Sequence, residues 1–208
     1  MDAFPRDILA PATERWRRTG VTITGGIPTA GAPGIALTDG GGFWMAWMTD
    51  IALDTTEEHK TAARVDAYLD GGAQAIIVPA YTANRRPEFS AGSYALVAYV
   101  AEPAPLRATV IRVAHTGAAR FSGGEYFSIT HPAKGKRLYE VRGVDTFSAT
   151  QTVEIRPPLR HSVTTDAIDL NNPGCVMRLA NPDDWIGPLD STHSAVANPI
   201  WIEDLNAG

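Results

Sequence analysis

Cysteine is almost missing from this chain: Cys175 is the only one in 208 residues. One thiol excludes an intrachain disulfide and a cysteine-built metal site. No run of 18 apolar residues is present, which excludes a membrane-spanning helix. Residues 1–18 do not set a basic stretch ahead of an apolar one, so no signal peptide is expected, and synthesis in the cytoplasm is. Positive charge is short as well. Eighteen Lys and Arg stand against 23 Asp and Glu, a net charge of −5, which argues against DNA or RNA as a stoichiometric partner.

Catalytic signatures are equally scarce. No G-x-S-x-G elbow occurs, and the glycines at 25–26 and 40–42 are not followed by the Lys-Ser/Thr of a phosphate loop. The histidines His59, His115, His131, His161 and His193 are not spaced as metal ligands, and none sits beside a cysteine. Asp183 and Asp184 are adjacent on one loop, whereas glycoside hydrolysis needs two carboxylates held across a cleft. Cys175 begins the apolar stretch CVMRL and reads as a small buried hydrophobe. No catalytic, cofactor-binding or metal-binding residue is assigned, and the chain is not expected to be an enzyme.

What is present is punctuation and alternation. Nineteen glycines and 15 prolines are spread along the chain, which makes many turns rather than one disordered tract. Residues 123–160 hold three strands of period 2. In GEYFSIT, Tyr126, Ser128 and Thr130 oppose Phe127 and Ile129; in KRLYEVRGV, Leu138, Glu140 and Arg142 oppose Tyr139 and Val141, with Gly143 breaking the period. In TVEIRPP, Val153 and Ile155 share a face. A small antiparallel barrel or sandwich is the expected unit.

One helix is expected, over residues 55–70. Thr55 with Glu58 forms a capping box, Gly71 supplies the stop, and Ala62, Val65 and Leu69 make a narrow apolar stripe. FWMAWMTDIAL, residues 43–53, is apolar on both faces, with Phe43, Met45, Trp47 and Ile51 opposing Trp44, Ala46 and Met48. Such a strand is covered on both sides, by its own core and by either the helix or another subunit. Residues 25–42, with seven glycines and two prolines, read as a long loop, either ordered only against a neighbour or mobile at the surface.

The fold expected is therefore mainly β (α+β): a β-sandwich-like belt domain with one helix, plus a small inserted β-barrel-like domain. Residues 1–102 together with 175–208 form the first, and residues 105–172 the second, because PAP at 103–105 and NNPG at 171–174 read as hinges. Aromatics are enriched in interfaces. Trp185 and Trp201 lie in a loop-rich tail, Trp44 and Trp47 on the doubly apolar strand, and Arg85 and Arg86 in a polar loop. These six are the candidate subunit-interface residues.

The order of a Gly-rich loop, GGGFWMAWMTDIAL, a helix ending AYLDGGAQAIIVP, then GGEYFSIT, GKRLYEVRGV, TVEIRPPLR and CVMRLA resembles the minor-tail or distal-tail (tail-tip ring) proteins of tailed bacteriophages, over roughly residues 8–205. The resemblance implies a structural virion protein, self-associating as a hexameric ring at the distal end of the tail tube. Its partners would be the tail tube protein and the tail hub or tip proteins, with DNA passing through the lumen and no sequence-specific nucleic-acid contact, no membrane and no cofactor. The alternative is a carbohydrate-binding module of a tail tip or baseplate, in which Trp185 or Trp201 would stack on sugar.

Overall fold

A computed structural model describes residues 3–20, 22–24, 35–37, 41–80, 97–116, 120–145 and 150–206. Among them the chain is mainly β, with a single helix. The strands are β1 (Thr13–Thr19), β2 (Thr22–Thr24), β3 (Ile35–Leu37), β4 (Phe43–Thr49) and β5 (Ile51–Leu53), followed by helix α1 (Thr56–Leu69). Then come β6 (Ala75–Pro79), β7 (Val97–Val100), β8 (Val110–Thr116), β9 (Tyr126–His131), β10 (Gly135–Val144), β11 (Thr150–Arg156) and β12 (Ala167–Asp169). The last three are β13 (Gly174–Leu179), β14 (Ala195–Ala197) and β15 (Ile200–Glu203).

Two hydrogen-bonded assemblies dominate. β1-β4-β15-β13-β6 is a five-stranded antiparallel sheet, and β10-β11-β8-β7-β12-β9 closes into a six-stranded barrel. Of the barrel or sandwich expected from the alternation in residues 123–160, the described residues form the closed barrel. Phe127, Ile129, Tyr139, Val141, Val153 and Ile155 are all buried in its core. Gly143 sits at a register shift between β10 and β11, so the broken period marks a β-bulge. The barrel also takes in β7, which lies before the hinge expected at 103–105. Alternation alone does not say which sheet a strand joins, and β7 finds both partners, β8 and β12, inside the barrel.

The second core lies between the inner face of the sheet, the helix and one wall of the barrel. It gathers Trp44, Ala46, Met48, Val65, Leu69, Met177, Trp185 and Trp201, and also Tyr126 and Leu138 from β9 and β10. The β9–β10 hairpin is thus apolar on both faces, one lining the barrel and one packing on the sheet. Half-buried strands were expected there; Tyr126 through Ile129 are all buried, because the hairpin is a shared wall.

Helix α1 forms as its sequence dictates. The Thr55 side chain accepts the Glu58 N–H, and Glu58 reaches back to the Thr55 N–H at 2.8 Å. Its buried residues are Thr61, Ala62, Val65 and Leu69, and Asp70 turns left-handed at the C-cap. One face assignment changes. Asp50 has φ 56 and ends β4, so Ile51 turns into the core instead of continuing the Phe43–Met45–Trp47 face. The long loop expected over 25–42 contains β3, paired with β2; residues 25–34 and 38–40 lie outside the described residues.

Candidate functional site

The six interface candidates separate sharply. Trp44, Trp185 and Trp201 are core residues, each at most 1 % exposed, and they present no indole to a partner. Trp44 donates Nε1–H to the Leu138 carbonyl at 2.8 Å and meets Trp16 and Tyr126 edge-on. Trp185 donates Nε1–H to Asp66 Oδ1 at 2.8 Å, which ties the C-terminal segment onto helix α1. Trp201 packs edge-on against Phe4, with ring centroids 5.5 Å apart. Their burial has a plain cause. β15 is inserted between β4 and β13, so a segment that reads as a tail is the centre of the sheet. A sugar-stacking role for Trp185 or Trp201 loses its platform with that burial. Arg85 and Arg86 lie outside the described residues.

Trp47 is the candidate left at a surface. Its strand neighbours in register are Arg15 on β1 and Ile200 on β15; Met45 faces Arg17 and Ile202 in the same way. Residues paired across antiparallel strands share a face. The outer face of the sheet therefore carries Phe43, Met45, Trp47, Ile200 and Ile202, all partly exposed. The Arg15 guanidinium lies 5.7 Å from the Trp47 ring centroid, a cation–π placement. At the sheet's rim β1 pairs with β4 alone among the described residues. Its exposed Arg15 and Arg17 flank that rim.

The sheet and barrel are locked by a buried polar seam that sequence reasoning missed. Glu203 accepts from Arg160 at 3.1 and 2.9 Å and from the Trp44 N–H at 3.0 Å, and pairs with Arg137 at 3.7 Å. Arg137 also donates to the Asp204 carbonyl at 2.6 Å, and Arg178 holds the Asp204 carboxylate at 2.6 Å. Next to them the Arg160 N–H donates to the Tyr139 hydroxyl, which bonds His131 Nε2 at 2.7 Å. Burial first, then the neighbouring His161, pushes the His131 imidazole down to about 4. Burial likewise raises the Tyr139 phenol. One signal for this seam was available. Glu203 shares the period-2 face of Trp201, and Arg137 that of Tyr139 and Val141, so each charge sits at an inward position.

The remaining sequence candidates take ordinary places. Cys175 is fully buried, and burial raises its thiol, which disfavours the thiolate that nucleophilic chemistry requires. Asp183 and Asp184 are exposed on a turn closed by Asp184 N–H to the Asn181 carbonyl. His59 Nε2 lies 3.0 Å from the His193 carbonyl oxygen. Among the described residues no group of three or more His, Cys, Asp and Glu is placed to hold a metal ion. No family model and no curated protein matches the chain.

Proposed function

We propose that this chain is a structural subunit of a bacteriophage tail, forming a hexameric ring at the distal end of the tail tube and joining the tube to the tail tip or hub. In this reading the five-stranded sheet, its helix and β14 make the belt of the ring. The barrel, including β7, is a unit inserted between β6 and β13 that projects from it.

The observation that carries the proposal is the outer sheet face. Phe43, Met45, Trp47, Ile200 and Ile202 form an apolar stripe beside β1, which pairs with β4 alone among the described residues. The inner face of the sheet is buried within the subunit, whereas these five outer-face side chains keep part of their surface exposed among the described residues. A contiguous apolar patch rimmed by arginines is the kind of surface that another protein chain covers. Repetition of one such heterologous contact closes into a ring when the rotation allows.

Light scattering over a concentration series, with negative-stain images of the same samples, tests the proposal. Six-fold closed rings are expected from the wild type, and the charge introduced by Met45→Glu is expected to abolish them. A wild type that remains a monomer throughout, or a Met45→Glu variant that assembles normally, contradicts it.

A further inference from the structure

The outer sheet face of the proposed ring subunit needs a partner surface of matching chemistry. Arg15 and Arg17 are exposed at its β1 rim, and neither pairs with a carboxylate among the described residues. Beside them Phe43, Met45, Trp47, Ile200 and Ile202 are partly exposed. The surface that covers this face is therefore apolar and carries unpaired carboxylates. In a ring it is also a different patch of the same chain, because the contact is heterologous.

The exposed apolar residues sort by the charge around them. Leu106 and Leu205 stand beside Arg107 and Lys134, the wrong sign for an arginine rim. Val97, Tyr99 and Val110 are exposed on the barrel, where Glu102, Glu154 and Asp169 are already paired with Arg112, Arg142 and Lys136. Leu189 and Val196 are 61 % and 44 % exposed. Val196 shares a groove with Asp54 and Asp190, and Leu189 adjoins Asp190 in the chain.

That groove, of about 640 Å³, is walled by Ala52, Asp54, Pro188, Asp190, Val196 and Asn198. Ala52 and Val196 are paired in register on β5 and β14, so they share one face. The Gly187 N–H donates to the Val196 carbonyl at 2.9 Å, which holds the 187–190 turn against β14. A Cβ on Gly187 would lie 2.9 Å from that oxygen, so glycine lets the turn approach this closely. Asn198 Oδ1 fixes the neighbouring wall by accepting the Asp50 N–H at 2.9 Å. Asp190 Oδ1 is taken by the Thr192 hydroxyl and by the Thr192 and Ser194 N–H groups. Its Oδ2 and the Asp54 carboxylate accept no hydrogen bond among the described residues. All six wall residues are exposed. A small-molecule site encloses most of its ligand, and this groove does not. It offers apolar side chains together with two carboxylates, which suits the surface of another protein.

We infer that this β5–β14 groove receives the outer sheet face of the next copy, with Met45 and Trp47 against Leu189 and Val196, and Arg15 and Arg17 toward Asp54 and Asp190. The inference rests on the ring reading above and names the surface that the outer face meets. Charge reversal tests it. Arg17→Glu and Asp54→Lys are made singly and together. Asp183→Lys, on an exposed turn outside the groove, is the control for net charge. Circular dichroism checks that each is folded. Arg17→Gln or Asp54→Asn, with an expected loss of about threefold, replaces a reversal that is not.

Sedimentation velocity then measures the concentration at which assembly begins. Each single reversal is expected to need about tenfold more protein, because like charges then face each other across the contact. The double reversal is expected to recover most of that loss, and Asp183→Lys to match the wild type. Wild-type rings that the single reversals leave untouched, a double no better than the singles, or a control as weak as Asp54→Lys overturn the groove contact while the ring reading stands. A wild type that never assembles overturns the ring reading and the contact with it.

Discussion

Glu203 shows how much one side chain carries here. Its carboxylate is bonded to Arg160, paired with Arg137 and capped by the Trp44 N–H. Removing one partner of a buried ion pair leaves a charge without compensation, at about 3–5 kcal/mol. Glu203→Gln keeps the shape and removes the charge, so urea denaturation is expected to show a loss of that order. A loss near zero would mean that the two guanidinium groups are solvated after all. His131 gives the pH dependence. Burial, with His161 adding to it, lowers its pKa from 6.5 to about 4 in the folded chain. The neutral ring is favoured in the fold, so between these values the unfolded chain binds the extra proton. That stability is fully present above pH 6.5 and is lost as pH falls through 4, by about 3 kcal/mol. Unfolding free energies measured from pH 7 to 4 are expected to fall accordingly, and His131→Gln is expected to flatten that slope.

At the scale of elements, β13 approaches β6 closely at Gly174. A Cβ on Gly174 would lie 2.9 Å from the Val78 carbonyl oxygen and 3.1 Å from Ile77 Cγ2. Backbone cannot swing aside as a flexible side chain can, so Gly174→Ala is expected to cost about 1–3 kcal/mol, read as a lowered thermal midpoint. An unchanged midpoint would place the strands farther apart. Much at this scale was legible beforehand. The barrel strands β9, β10 and β11 follow from strict alternation, the break at Gly143 from its interrupted period, and helix α1 from Thr55, Glu58 and its Ala62–Val65–Leu69 stripe. What was not legible depends on pairing over long sequence distance. β15 slots between β4 and β13, which buries Trp201, and Trp185 closes onto Asp66 of a helix more than a hundred residues earlier. Local composition around both tryptophans is loop-like and carries no trace of those partners. The face switch at Ile51 needed the left-handed Asp50, which a period count passes over.

At the scale of the whole molecule, two cores share the β9–β10 wall and are pinned by the Glu203 seam, so the sheet presents its outer face as one surface. That face is apolar in its centre and cationic at its β1 rim. These features fit a subunit whose remaining apolar surface is covered by copies of itself. Sedimentation velocity of the wild-type chain, from dilute to concentrated, measures this most directly. The account predicts that the 22.3 kDa chain gives way to one closed species of about six copies, with no ladder of longer forms. A single 22.3 kDa species at every concentration would contradict it.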